Sequence, residues 1–222
     1  SKEVETNILS DISSKLIEKE EWPEFDASII NKLHSQVFES QKASEYFNTR
    51  KITKDSIQKF KLGYSVNQDM VTVPVHNHEG ICVGFVGRSV EGKVFKNTPG
   101  LPKSKLLFNL NNVKTASRVY VVESSFDAIR LDQVGLPAVA TLGANVSSKQ
   151  IGLLQKYFSD IMIIADNDEA GGIMKDKIIE RLGSQVTVIN INKQYKDIGD
   201  MDDKSIKELD LQFDKSILSM LN

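Results

Sequence analysis

The sequence predicts an α/β protein: a parallel-sheet domain preceded by a helical plus β-hairpin (α+β) lobe. Three observations carry this. From residue 117 onward, short runs rich in β-branched residues alternate with amphipathic stretches of about 10–15 residues, the pattern of βαβ units on a parallel sheet. Before that point the hydrophobic period changes from helical spacing to the alternation of a hairpin. A chain of 222 residues is also long enough to bury a sizeable core, as one large domain or two small ones.

Taken in order, Val4, Ile8, Ile12 and Leu16 recur every four residues and give a first helix one apolar face. Ala27–Glu39 fits a second helix, its stripe made by Ile29, Ile30, Leu33, Val37 and Phe38. SEYFNTRKITKDSIQKFKLGYS reads as two short helices, broken near Asn48–Lys51 and stopped at Gly63. Met70–Val75 and Ile81–Arg88 form a hairpin around a turn at His76–Gly80, and EGKVFKNTPGLPKSKLLFNL is a basic, Pro- and Gly-bearing loop leading to another short element. RVYVVE, PAVAT, DIMIIAD and QVTVIN then read as four strands. Between them lie helices in SFDAIRLDQVG, ending on Gly135, in SSKQIGLLQKYF with Ser147 or Ser148 as N-cap, and in EAGGIMKDKIIERLG, closed by Gly183. The resulting organisation is an N-terminal lobe over 1–115 (helical to 65, basic hairpin and loop over 66–115), a sheet domain over 116–192, and an acidic loop with short helices over 193–222.

Composition bounds the function. A hydrophobic content of 40% with 26% charged residues is that of an ordinary globular protein. The single cysteine, Cys82, excludes internal disulfides and a cysteine-rich zinc site, so a reducing compartment, the cytoplasm, is expected. No apolar run approaches a membrane span and no signal peptide is visible. The chain begins on Ser1 rather than Met, as an excised or processed piece would. The net charge of −2 hides a segregation: residues 46–115 carry 11 basic and 4 acidic side chains, whereas 1–45 and 116–222 are net acidic. A basic block of this kind either attracts a polyanion or is simply a solvated lysine-rich face.

In a parallel sheet, ligands gather outside the carboxyl ends of the strands. Glu123 ends the first strand of the sheet domain, and Asp166 and Asp168 end the third, in IMIIADNDEAGG. Residues i and i+2 of an extended chain share a side, so the two aspartates can point together. Three carboxylates around one crevice repel one another unless a cation is present, and an all-oxygen set suits Mg²⁺ or Mn²⁺ rather than zinc. Gly171 and Gly172 would let backbone approach closely. A single strand-end acid is often only a helix cap or a solvated loop residue. The joint arrangement of Glu with DxDxxG is harder to dismiss.

Residues 117–190 resemble a Toprim domain, marked by a strand-end glutamate and a later DxD. The likeness extends to DnaG-type bacterial primases. SEYFNTRKITKDSIQKFKLGYS is similar to their YL-x-x-R-G segment, VTVPVHNHEGICVGFVGRSV to their FPI…GF-x-GR hairpin, and KNTPGLPKSKLLFNL to their YLNSP loop. ATLGANVSSKQIGLLQKY and ADNDEAGG follow in the same order. The resemblance implies metal ligation by Glu123, Asp166 and Asp168, with Asp127 as a further catalytic acid. It implies contact of Arg88, Lys96 and Lys103 with nucleotide or nucleic acid, Lys96 aligning less well. It places Asp197 and Asp200 near the family's second acidic pair, at a spacing one residue longer. The implied activity is template-directed synthesis of short RNA primers on single-stranded DNA from NTPs, with Mg²⁺ or Mn²⁺ and a replicative helicase as partner.

There are departures. Ser124 stands where the family has glycine, which asks more of the local turn. No zinc-binding cysteine cluster precedes the core, and only about 30 residues follow the sheet, too few for a helicase-interaction domain. Phage primases often vary in these ways, and the Lys-, Ile- and Asn-rich composition permits such a source. Two rivals stay open, a Toprim nuclease or topoisomerase and a noncatalytic DNA-binding relative. His76-Asn77-His78 spells HNH but lies in a hairpin turn, and Trp22 with Phe25 is better suited to packing than to stacking on bases.

Overall fold

The computed structural model describes residues 22–210. The helix expected through Val4, Ile8, Ile12 and Leu16, and the stretch after residue 210, lie outside the described residues.

The N-terminal lobe begins with α1 (Ala27–Glu39), whose N-cap Asp26 accepts the Ser28 backbone N–H. Ser40 ends α1 and caps α2 (Gln41–Thr49) by accepting from Ala43 N–H. Thr53 does the same for α3 (Lys54–Lys59). This helix stops before Gly63, because Lys61 turns the chain in the left-handed region at φ 50°. Gly63 has another duty. It opens β1 (Gly63–Ser65), and a Cβ there would stand 2.5 Å from Thr72 Oγ1 and 2.8 Å from Leu33 Cβ, so glycine lets α1 pack on the sheet. His34 of α1 is buried against the Leu62 carbonyl and Gln58.

β2 (Met70–His76) and β3 (Cys82–Ser89) form the expected hairpin, in a sheet ordered β1-β2-β3-β4. Asn77 shapes the turn, its Oδ1 accepting the N–H groups of Glu79 and Ile81. Of the HNH letters, His76 thus ends β2, and Asn77 and His78 belong to the turn. Phe95–Asn97, read from the sequence as loop, is a short edge strand, β4, paired antiparallel with Val86–Arg88. Three residues are too few to display alternation.

After a short helix α4 (Leu110–Val113), the second sheet is wholly parallel in the order β6-β5-β7-β8: β5 (Arg118–Val122), β6 (Ala138–Ala140), β7 (Asp160–Ile164) and β8 (Val186–Ile189). Helices α5 (Ser125–Gln133), α6 (Ser148–Tyr157) and α7 (Glu169–Leu182) connect them. Ser147 caps α6 in a full capping box with Gln150. Alternation sorts the strand side chains between two cores. Val119, Val121, Ile161 and Ile163 pack with α6 and α7, and also with Leu107, Leu110 and Val113 from before the sheet. Tyr120, Val122, Met162 and Ile164 share a core with Phe47, Leu62 and Val73 of the N-terminal lobe. Ile198, Met201, Ile206 and Leu209 complete that core, the last two from a helical stretch over 203–210, called α8 here. The two lobes are therefore joined through one hydrophobic interior.

Candidate active site

β5 and β7 are neighbours, but the chain leaves β5 toward β6 and leaves β7 toward β8. Their carboxyl ends flank the point where strand order reverses, which opens a crevice. Glu123 follows β5 there, its backbone carbonyl accepting Leu142 N–H at 2.9 Å. Its Oε2 is buried and finds no hydrogen-bond partner among the described residues. Burial, and then the charge of Asp168, push the Glu123 carboxyl above its ordinary pKa, while Lys196 opposes the shift.

Asp166, two residues beyond β7, is raised furthest, to about 8; burial is the main cause, followed by the charges of Asp127, Asp197, Glu123 and Asp168. Five acids thus meet in one field. Among the described residues, no three His, Cys, Asp or Glu side chains stand in a metal-holding cluster. The donor set nevertheless fits a hard divalent cation: it is all oxygen, one buried carboxylate oxygen has no protein donor, and a cation would relieve the mutual repulsion.

Asp168 is exposed and caps α7, Oδ1 accepting from Gly171 N–H at 3.0 Å, with Lys196 Nζ 3.9 Å from Oδ2. The two glycines differ sharply. A Cβ on Gly171 would lie 2.4 Å from the Asp166 carbonyl oxygen, whereas one on Gly172 would meet nothing within 4 Å. Only Gly171 makes the close backbone approach.

Asp127 is 4% exposed. It accepts from the Ser124 hydroxyl and from Gly199 N–H, and burial raises it to about 6. It therefore pins the turn Ile198–Asp200 to α5. Asp197 caps that turn by accepting from Asp200 N–H and is half-buried, its field reaching Asp166 and Arg88. Asp200 is exposed, and its Oδ2 accepts Lys196 N–H at 2.9 Å. Ser124 meets none of the strain expected of it. Its backbone is extended (φ −102°, ψ 150°), and its hydroxyl caps α5 by accepting from Asp127 N–H.

On the basic side, Arg88 and Lys103 line a cavity of about 290 Å³ together with Glu123, Phe95, Phe126 and Leu142. Lys96 is not brought there. Its neighbour Phe95 pairs with Arg88, so alternation turns Lys96 to the other face, where it lines a separate cavity with Met70 and Thr72. Arg50 escaped the sequence reading. It closes α2, with its guanidinium 5.5 Å from the centre of the Tyr46 ring, and its charge is felt by both Arg88 and Asp127. The signal was available as the arginine of the YL-x-x-R-G segment. Trp22 and Phe25 pack as expected, edge-on to His78 and Phe85.

A Toprim-like family model matches residues 120–203, a span that includes Asp197 and Asp200. Among curated proteins, the DNA primase of Synechococcus elongatus is 35% identical over 128 residues, covering 52% of this chain and 18% of that protein. The DNA primase of Mycoplasma genitalium is 29% identical over 143 residues, covering 59% of this chain and 24% of that one. The chain therefore spans a quarter or less of these relatives. Among solved structures, a DnaG primase catalytic domain bound to ssDNA superposes with a TM-score of 0.69 at 17% identity, over 83% of this chain and 77% of that one. The zinc-binding and RNA polymerase domains of the Aquifex aeolicus primase superpose with a TM-score of 0.68 at 22% identity, over 81% and 59%. The chain is similar in sequence to DNA primases and has the fold of the DnaG catalytic core.

Proposed function

We propose that this chain is the RNA-polymerising core of a DnaG-type primase, making short RNA primers on single-stranded DNA by metal-dependent nucleotidyl transfer. One observation carries the reading: Glu123, with its Oε2 buried and unpartnered among the described residues, and the cations Arg88 and Lys103 line one cavity, beside the acids that follow β7. That is an arrangement for a triphosphate with its counter-cation. In the reaction a primer 3′-hydroxyl attacks the α-phosphorus of an NTP and pyrophosphate leaves.

Glu123, Asp166 and Asp168 would hold Mg²⁺ or Mn²⁺, with Asp197 at the margin. The ion would supply charge neutralisation on the phosphates and lower the cost of ionising the attacking hydroxyl. Arg88 and Lys103 bind phosphate oxygens in the cavity they share with Glu123. Asp127, buried and engaged by Ser124 and Gly199, positions the Asp197 turn. The basic block over 46–115 holds the template backbone. Such a core works where DNA is replicated, in the cytoplasm, with a replicative helicase as partner. Among the described residues no helix is long and apolar enough to cross a membrane.

Incubation with single-stranded template, labelled NTPs and Mn²⁺ tests this directly. Primers are expected. Cleaved DNA would mark a nuclease instead, and neither product would mark a binding module. Glu123→Gln should abolish primer synthesis while its melting temperature in EDTA stays equal or rises, because one of several mutually repelling carboxylates is gone. A folded Glu123→Gln chain that still makes primers would remove the glutamate from the mechanism.

A further inference from the structure

We infer that Phe95 is a stacking platform for a nucleobase at the mouth of the cleft, an inference that rests on the proposed function. Three observations converge on this side chain. Phe95 sits on the edge strand β4 and is 62% exposed, so its ring adds little to either core. It is the direct cross-strand partner of Arg88, whose guanidinium carbon lies 4.8 Å from the ring centre. It also forms a wall of the cavity that holds Lys103 and Glu123.

The local chemistry favours a flat aromatic ligand. Arg88 Nε is buried without a hydrogen-bond partner among the described residues, and the aromatic ring stands under its guanidinium. A cation over a ring is held by the ring's quadrupole. The ring remains largely exposed nonetheless, which leaves π-surface open to solvent beside two phosphate-binding cations. Phe126, Val86 and Leu142 add further apolar surface to the same cavity. A nucleotide matches this pairing of apolar surface and cations, its base on the ring and its phosphates on Arg88 and Lys103. Stacking of this kind tolerates any base, because every base presents a π-face.

Alternation supports the assignment. Within Phe95–Asn97, Phe95 and Asn97 line the cleft and Lys96 between them lines the other face, so the aromatic side chain is placed on the cleft side. If Phe95 merely shielded the stem of Arg88, any apolar side chain of similar size would serve.

Anisotropy titrations of labelled oligothymidine and of an abasic oligomer of equal length, with ATP measured separately, decide the matter. The wild type should prefer the base-bearing oligomer or ATP. Phe95→Leu should lose about fivefold or more on base-bearing ligands, with binding to the abasic strand and the salt slope unchanged, and Phe95→Trp should restore the loss. A loss confined to ATP assigns the base to the incoming nucleotide, and one confined to the oligomer assigns it to the template. Equal losses on base-bearing and abasic strands, or no loss on any ligand, would overturn the stacking role while leaving the proposed function standing. A wild-type chain that bound neither oligomer nor ATP would overturn both.

Discussion

At the scale of single residues, the site is a set of costs placed where a ligand can offset them. Glu123 and Asp166 are carboxylates removed from water at the end of a buried sheet, and their raised pKa values record that cost. For Asp166 the folded-state value of about 8 lies above the ordinary 3.8, so the folded state holds its proton more tightly than the unfolded chain does. The associated stability is complete below about pH 4 and is lost as pH rises through about 8. Asp127 adds the same sign over a lower range, up to about 6. In EDTA the melting temperature should therefore fall between pH 5 and pH 8, and Asp166→Asn should flatten that fall; a wild-type curve flat over this range would contradict the burial of the acids. Gly171 and Gly172 make a cleaner comparison. Gly171→Ala drives a methyl group into the Asp166 backbone and should cost about 1–3 kcal/mol in urea denaturation. Gly172→Ala lies in the same helix with open space around it and should be neutral or stabilising by up to about 1 kcal/mol.

At the scale of elements, the sheet domain was the most legible part. Period-two runs such as Val119–Val122 and Ile161–Ile164 are buried on both faces, so they appear in the sequence as unbroken apolar strings. The Ser147 cap marked the start of α6, whereas the caps by Ser124 and Asp168 emerged only from the fold. β1 and β4 were missed because three-residue edge strands carry no periodic signal, and α3 ends early through the backbone turn at Lys61 rather than at a glycine. Arg130 was missed for a different reason. It is 1% exposed on α5, and its guanidinium donates to the carbonyls of Lys51 and Met201 and pairs with Asp203. These partners are more than 70 residues away in the chain, so the clasp of α5 to the N-terminal lobe and the C-terminal segment has no local signature. Arg130→Ala should cost about 2–5 kcal/mol in chemical denaturation, because it leaves a cavity and strips the Lys51 and Met201 carbonyls of their donor, while Asp203 stays half-exposed. Arg130→Lys should recover little, because one ammonium cannot reproduce the planar fork; full recovery would show that the charge alone matters.

At the scale of the whole molecule, the near-neutral net charge conceals a basic block between acidic flanks, and folding brings its Arg88 and Lys103 into one cavity with Glu123. If both neutralise phosphates, replacing them together with alanine should lower the slope of log K against log salt for single-stranded DNA by about 1.4, roughly 0.7 for each phosphate no longer neutralised. An unchanged slope would place the strand elsewhere. The linear chain by itself determined the fold class, the strand-end positions of Glu123, Asp166 and Asp168, and the likeness to DnaG-type primases. Those follow from local periodicity and ordered motifs, which depend only on neighbours in sequence. Tertiary structure alone decided that Arg88 and Lys103 share a cavity with Glu123 while Lys96 faces away, that Asp127 is buried and bonded to Gly199, and that the lobes share one core. Strand order and pleat direction set those relations, and both arise from contacts between segments far apart in the chain.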